Sequence, residues 1–487
     1  MASWPRDRST DIWLPRSKIG MQSKPDISCS CAGIRSPNPF WLASGPPTNT
    51  AYQCCRAFEA GWGGVVWKTI THDPIVNVSS RYGSLDYDGR KMMGFNNIEL
   101  ISDRPLSENL REIAETKRRF PQHAVIVSLM VESKREVWHD IVKRTEDTGC
   151  DGLELNFGCP HGMSERGMGS SVGQVPEYTE MITSWVKEVA RTPVLVKLTP
   201  NITDVRSVGR AARRGGADGI SLINTINSII GLNLDTLEPI PHVDGRGSHG
   251  GYCGPAVKPI ALNMVHAVAS DSQIALPVSG IGGIQAWQDA VEHILLGASS
   301  VQVCTAAMHY GFRIVEQMIS GLEHWMSSKG FDRLEDFVGA SVPRIGDWSD
   351  LNLGYKVVAR INPSKCIHCG LCYAACEDGA HQSIKQQSTP VTQYLESHRD
   401  LHARRLEHSG KSQFMAGMGD DQINVYSVDE TTCVGCNLCS FVCPVAGCID
   451  MVSVASEIPD MTWRQYQQKL SAGQLQPLPP PSHVKQP

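Results

Sequence analysis

Eight of the chain's 17 cysteines fall near its C-terminal end in two runs of identical spacing. The first is Cys366, Cys369, Cys372 and Cys376. The second is Cys433, Cys436, Cys439 and Cys443, with Pro444 directly after. Both read C-x2-C-x2-C-x3-C, the spacing that holds a pair of [4Fe–4S] clusters. In that arrangement the first three cysteines of a run hold one cluster and the fourth crosses to the other. Cys366, Cys369, Cys372 and Cys443 are therefore expected around one cluster, and Cys433, Cys436, Cys439 and Cys376 around the other. Soft, charge-donating thiolate suits iron in such clusters. Zinc sites usually need only two pairs of ligands, and disulfide frameworks belong to small secreted chains. The chemistry this spacing assigns is one-electron transfer.

A different chemistry is concentrated in Asn156-Phe157-Gly158-Cys159-Pro160-His161-Gly162-Met163, continuing Ser164-Glu165-Arg166-Gly167-Met168-Gly169. The segment follows an apolar run directly. A thiol on such a loop can give or take a proton, so Cys159 is the candidate general acid. His161 either orients the loop or is the next candidate. The glycines let the loop open and close over a substrate. A buried, inert cysteine is the competing reading, and the strand-end Asn156 beside it favours catalysis.

Two short segments could receive a phosphate group. Ser279-Gly280-Ile281-Gly282-Gly283 follows one apolar run and Cys304-Thr305-Ala306 follows the next. Backbone N–H groups in such loops bind phosphate, and glycine permits close approach. Together with a strand-end lysine and the cluster motif, this points to FMN, which accepts two electrons and passes them on singly. Gly245-Arg246-Gly247-Ser248-His249-Gly250 matches G-x-G-x-x-G, but it does not directly follow a strand within a βαβ unit and is rejected as a dinucleotide site. The adjoining Gly251 is still expected to line the flavin pocket.

These residues need a scaffold that brings strand ends together. Short apolar runs recur at 41–44, 64–69, 124–130, 152–157, 194–199, 219–224, 275–280 and 299–304. Helical periodicity fills the intervals, as in LSENLREIAETKRRF and VPEYTEMITSWVKEVAR. Near-continuous apolar strands separated by helices predict a parallel sheet. Eight such units over about 300 residues fit an α/β fold of the (β/α)8 TIM-barrel type, with a doubly wound sheet as the alternative. Ser44, Lys68, Thr69, Asn156, Lys197, Asn224 and Thr305 all lie at or just past the C-terminal end of a run. Barrel enzymes place their chemistry on that face. Turn chemistry explains single polar residues there, but not lysines ending two apolar strands, since lysine is rarely buried without a partner.

The 487 residues carry a net charge of -5 with both signs mixed, which favours neither nucleic acid nor an anionic membrane. No apolar stretch approaches the roughly 20 residues of a membrane span, and the N-terminal residues lack the apolar core of a secretory signal. The cytoplasm is the expected compartment. The expected organisation is an irregular tail over 1–26, the FMN barrel over 27–325 and a connector over 326–357. A C-terminal ferredoxin-like α+β domain with two [4Fe–4S] clusters follows over 358–455. It is interrupted by a polar surface insert at about 384–422, and a Pro-rich tail closes the chain over 456–487.

Several segments carry a family resemblance. ELNFGCPHGMSERGMGSSVGQ, GFNNIELIS (94–102), VKLTPNITD (196–204), INTIN (223–227), GGYCGPAVKPIAL (250–262) and the two cysteine runs resemble the dihydropyrimidine dehydrogenases over about 27–455. GMSERGMG is quite specific, whereas N-x-x-C-P is shared with dihydroorotate dehydrogenases. The resemblance implies FMN and a pyrimidine bound at the strand C-termini. It implies Cys159 as general acid, and Asn97, Asn156, Asn224 and Thr225 on the pyrimidine edge. It further implies Lys68, Lys197 and Ser44 as flavin contacts, with Lys197 offsetting charge on the reduced ring, and Gly283 and Thr305 as phosphate contacts. Gly158 departs from the serine usual in the family, so the hydrogen bonding near the thiol is expected to differ.

The implied activity is that of a CH–CH oxidoreductase, a dihydropyrimidine dehydrogenase catalytic subunit of the bacterial type. It reduces uracil and thymine to their 5,6-dihydro forms, with hydride from FMN at C6 and a proton from Cys159 at C5. Electrons are expected through the clusters from a separate FAD and iron–sulfur subunit that oxidises NAD(P)H, in a heterotetramer. The alternatives are a dihydroorotate-type flavin dehydrogenase and a non-catalytic electron-transfer subunit.

Overall fold

The computed structural model describes residues 24–159, 167–397 and 422–477. The chain divides into two compact units, one reaching to Ile345 and one starting at Gly346.

In the first unit the eight expected runs form a closed barrel. Its strands are β1 (Phe40–Leu42), β2 (Gly64–Ile70), β3 (Ala124–Leu129), β4 (Gly152–Asn156), β5 (Val194–Lys197), β6 (Gly219–Leu222), β7 (Val278–Ile281) and β8 (Ala298–Val303). They follow one another around the ring in chain order, all parallel, and β8 closes against β1. Every residue of β1 to β7 is buried, which is why these strands read as continuous apolar runs and not as alternation. The helices between them are amphipathic. In Leu106–Arg119 the buried positions are Leu106, Asn109, Ile113 and Thr116, one helical stripe, and Lys117, Arg118 and Arg119 sit in the last turn, where the helix dipole favours cations. A hairpin of Cys29–Cys31 and Ile34–Ser36 packs at the N-terminal end of the barrel, with Ile34 against Gly152.

The barrel's C-terminal side carries an addition that the run pattern did not foretell. Tyr82–Tyr87, Arg90–Asn97, Gly250–Cys253 and Ile226–Ser228, from the loops after β2 and β6, form a four-stranded antiparallel sheet. The G-x-G-x-x-G segment lies just before one of these strands, in a turn closed by the Val243–Arg246 bridge and not between a strand and a helix.

In the second unit, β9 (Lys356–Ile361) pairs antiparallel with β12 (Ile449–Val454), and β10 (Ile384–Pro390) with β11 (Gln422–Val428). The segment expected as a surface insert from 384 therefore begins as a strand and ends in one. Its paired register runs from Ile384 opposite Val428 to Pro390 opposite Gln422. Residues 398–421 of that insert, and 1–23 of the N-terminal tail, lie outside the described residues. The Pro-rich tail expected from 456 contains a helix, Trp463–Ser471. Thr462 caps it by accepting from the Gln465 N–H, the S/T-x-x-Q pattern of a capping box.

Candidate active site and cluster cavities

A deep cavity opens at the C-terminal ends of the barrel strands. It gathers Ser44 after β1, Lys68 and Thr69 from β2, Asn156 and Cys159 at and after β4, and Lys197 from β5. Asn224 and Thr225 follow β6, Gly282 and Gly283 follow β7, and Thr305 follows β8. Asn97 joins them from the antiparallel sheet. Gly251 does not line this cavity. It stands behind it, its carbonyl accepting from Asn97 Nδ2 at 3.1 Å. A Cβ at Gly251 would meet Thr225 Oγ1 at 2.2 Å, so this glycine makes room for Thr225. Gly283 has φ +74, and a Cβ there would meet the Lys258 backbone at 2.7 Å, so only glycine lets this loop reach the cavity.

The polar wall is a chain of hydrogen bonds. Asn224 Nδ2 donates to Asn156 Oδ1 (2.9 Å), and Asn156 Nδ2 donates to Thr69 Oγ1 (3.0 Å). The Thr69 hydroxyl also meets Ser128 Oγ (2.9 Å) and Ser44 Oγ (3.2 Å). The Thr225 N–H donates to Asn224 Oδ1 at 2.8 Å, and the Gly158 N–H to Asn156 Oδ1 at 3.3 Å. Both amide side chains are thus held in place with donor capacity remaining. Gly158 packs so closely that an added Cβ would sit 2.5 Å from Asn224 Cβ.

Both strand-end lysines are 5 % exposed, and each has a carboxylate partner. Lys68 Nζ donates to Glu99, which also accepts from the Tyr82 hydroxyl and from Arg81 at 3.3 Å. Burial and the bond to Glu99 hold the Tyr82 phenol above its ordinary value. Lys197 Nζ lies 3.4 Å from Glu154 Oε1. Fully buried Glu154 accepts at Oε2 from Ser221 (2.8 Å) and Gln302 Nε2 (3.1 Å). Gln302 lines the cavity, and its buried Oε1 has no hydrogen-bond partner among the described residues. A deep cavity with two paired ammonium groups in its wall, an unused amide oxygen and a glycine loop fits a flavin.

Cys159 is half-buried beside Ile101, Met130 and Met168. His161 and the rest of 160–166 lie outside the described residues. Two more thiols line the cavity, and burial pushes Cys253 up to about 11 and Cys304 up to about 12, so both stay protonated at neutral pH. Sequence reasoning missed Glu99, Glu154 and Gln302. For Glu154 and Gln302 a signal existed, because each is a lone polar residue in an apolar strand, the same oddity that singled out the lysines.

In the second unit, Cys366, Cys369, Cys372 and Cys443 line one cavity together with Cys448, while Cys433, Cys436, Cys439 and Cys376 line another. The crossing of the fourth cysteine is thus a feature of the fold. The His368 N–H points at Cys366 Sγ (3.4 Å) and the Ser383 N–H at Cys376 Sγ (3.2 Å), bonds that steady thiolate charge. Among the described residues, no three His, Cys, Asp or Glu side chains converge on a single-ion position. The thiols instead surround two cavities, as the larger cubes require.

A parallel barrel with this cavity, joined to a unit with two four-thiol pockets, defines a redox enzyme of the flavin-barrel and iron–sulfur class. Residues 27–326 match the dihydroorotate dehydrogenase family and 365–448 the 4Fe-4S dicluster domain. Over 361 residues, 74% of this chain and 87% of the relative, the sequence is 43% identical to the NAD-dependent dihydropyrimidine dehydrogenase subunit PreA of Escherichia coli K12. It is 39% identical to the chloroplastic dihydropyrimidine dehydrogenase (NADP(+)) of Arabidopsis thaliana, over 70% of this chain and 84% of that one. It is 36% identical to the catalytic subunit of dihydroorotate dehydrogenase B (NAD(+)) of Pyrococcus abyssi, over 64% and 97%. The chain belongs to the dihydroorotate dehydrogenase family and, within it, resembles the dihydropyrimidine dehydrogenases. It is a dehydrogenase with a flavin-type barrel and a 4Fe–4S dicluster domain. Among the described residues no helix is long and apolar enough to cross a membrane.

Proposed function

We propose that this chain is the catalytic subunit of a dihydropyrimidine dehydrogenase that reduces uracil and thymine at the 5,6 double bond. The observation that carries the reading is the meeting of Asn97, Asn156, Asn224, Thr225 and Cys159 in one cavity with two buried lysines. A pyrimidine edge alternates carbonyl and N–H groups, and amide side chains both donate and accept. Several fixed hydrogen bonds to such a ring reject analogues that cannot make them.

FMN, when bound, supplies the hydride that reaches C6. Cys159 gives a proton to C5 from its half-buried thiol and regains it from solvent between turnovers. The asparagines hold the ring with C5 toward the thiol. Lys68 and Lys197 keep cationic charge beside the flavin, and Gly282, Gly283 and Thr305 take its phosphate with Ser44 and Thr69 nearby. The antiparallel sheet, which contributes Tyr82, Phe95 and Tyr252 to the lining, keeps water from the reacting atoms. The eight run cysteines would hold the two clusters, which supply single electrons.

Reductant is expected from a separate FAD and iron–sulfur subunit that oxidises NAD(P)H, in a heterotetramer in the cytoplasm; the word subunit in the bacterial relative's name supports a partner. A dihydroorotate-type substrate is less well matched, since its carboxylate needs a cation. The two lysines among the described lining residues are each already paired with a carboxylate. Anaerobic turnover of dithionite-reduced protein with uracil, thymine and orotate tests the reading. Reduction of orotate in preference to uracil would refute it.

A further inference from the structure

The two halves of the 346–477 unit repeat one plan. Asn362 accepts the Cys366 N–H at 3.0 Å and donates its own N–H to the Cys448 carbonyl at 2.7 Å. Asp429 accepts the Cys433 N–H at 3.0 Å and donates to the Ser383 carbonyl at 2.8 Å. Cys448 immediately precedes β12, and Ser383 immediately precedes β10. The internal repeat therefore makes Cys448 and Ser383 equivalent positions. Both are 2 % exposed. Cys448 stands in the wall of the cavity that holds Cys366, Cys369, Cys372 and Cys443, and Ser383 in the wall of the other. The Cys448 sulfur is 3.8 Å from the Asn362 carbonyl oxygen, and its side chain shares the cavity lining with Cys443 and Cys366. One cavity thus offers five thiols where a [4Fe–4S] cluster uses four, and the other offers four and a hydroxyl.

We propose that Cys448 is a reserve ligand, able to replace Cys443 on its cluster, so that the two clusters differ in their tolerance to loss of the crossing cysteine. The proposal rests on the two-cluster reading. In a chain without the Cys443 thiol, Cys448 gives its proton to water as its sulfur bonds iron during assembly, and no oxidant is required. Ser383 offers only a hard oxygen to a site that selects soft sulfur.

The test is iron and acid-labile sulfide per chain, with the EPR spectrum of the reduced state, on full-length protein purified anaerobically. The unsubstituted chain should carry about eight of each. A much lower value there would refute the two-cluster reading itself. Cys443→Ala should keep about eight irons with an altered EPR signal, while Cys376→Ala and the double variant Cys443→Ala/Cys448→Ala fall to about four. Adding Ser383→Cys to Cys376→Ala should restore the lost cluster. Equal iron loss in Cys443→Ala and Cys376→Ala would overturn the proposal. If Cys443→Ala does not fold, the Ser383→Cys arm decides, and failure to restore iron there overturns it.

Discussion

At the scale of single residues, function turns on groups that need only be a few ångströms out of place to fail. Among the described thiols of the cavity, Cys253 and Cys304 lie toward β8, where Cys253 Sγ accepts from Thr305 Oγ1, and burial makes both weaker acids than an ordinary thiol, which leaves Cys159 as the candidate acid. Cys159→Ala should therefore retain flavin and clusters yet lose about 10²–10⁴-fold in pyrimidine turnover, the usual cost of removing a general acid. Stopped-flow oxidation of the reduced flavin by uracil would measure it. Near-normal rates would mean that another group, His161 first, delivers the proton. Gly158 shows how close the packing is. A Cβ there would enter space that Asn224 fills, so Asn224 sits nearer the thiol loop than the serine expected from the resemblance would permit.

At the scale of elements, β4 and β5 carry a buried ion pair between them. The Lys197 and Glu154 side chains are 7 % and 0 % exposed. Removing one partner leaves an uncompensated charge inside the barrel. Lys197→Ala should lower stability by about 3–5 kcal/mol, and the charge-free pair Lys197→Met/Glu154→Gln should recover much of that. Urea unfolding of the two variants compares them directly, and equal loss in both would rule out the pair as the cause. Alkaline pH should weaken the barrel too. Burial raises Cys29 and Cys150 to about 12 and Cys31 to about 11. Above pH 9, the ordinary thiol value in those same groups, the unfolded chain releases protons that the folded chain keeps. Stability is then full below pH 9 and falls between pH 9 and about 11 for Cys31 and between pH 9 and about 12 for Cys29 and Cys150, by up to roughly 1.4 kcal/mol per pH unit per thiol. Anaerobic urea midpoints at pH 8, 9 and 10 would show it, and their loss should be smaller in Cys150→Ala.

At the scale of the whole molecule, the chain joins a unit for two-electron chemistry to a unit for one-electron chemistry and offers no strand-bound dinucleotide loop among its described residues. The G-x-G-x-x-G segment is a turn beside an antiparallel strand. The isolated chain should therefore reduce uracil slowly with NADH or NADPH but readily with a low-potential artificial donor. Adding a flavoprotein partner should restore the nicotinamide-dependent rate. Steady-state assays on single-subunit protein check this, and fast NAD(P)H oxidation without a second polypeptide would contradict it.

What sequence alone determined here was whatever depends on neighbours along the chain. Eight continuous apolar runs led to a closed barrel, because strands covered on both faces have no polar side to alternate. The spacing within Cys366 to Cys372 and within Cys433 to Cys439 gathers three thiols locally around each cavity, while the crossing of Cys376 and Cys443 is completed by the fold. Strand-end residues such as Asn156, Lys197 and Thr305 were legible because barrel topology brings every strand end to one face. Tertiary structure alone decided what arrives from a distance. The antiparallel sheet that delivers Asn97 and Glu99 pairs segments about 150 residues apart, and no local pattern encodes that pairing. Gly251 was placed in the lining from its neighbourhood in sequence, yet the register that pairs it with Asn97 turns it behind Thr225. The partners of the buried lysines, Glu99 and Glu154, and the equivalence of Cys448 with Ser383 also appear only once the chain has folded and segments tens of residues apart lie side by side.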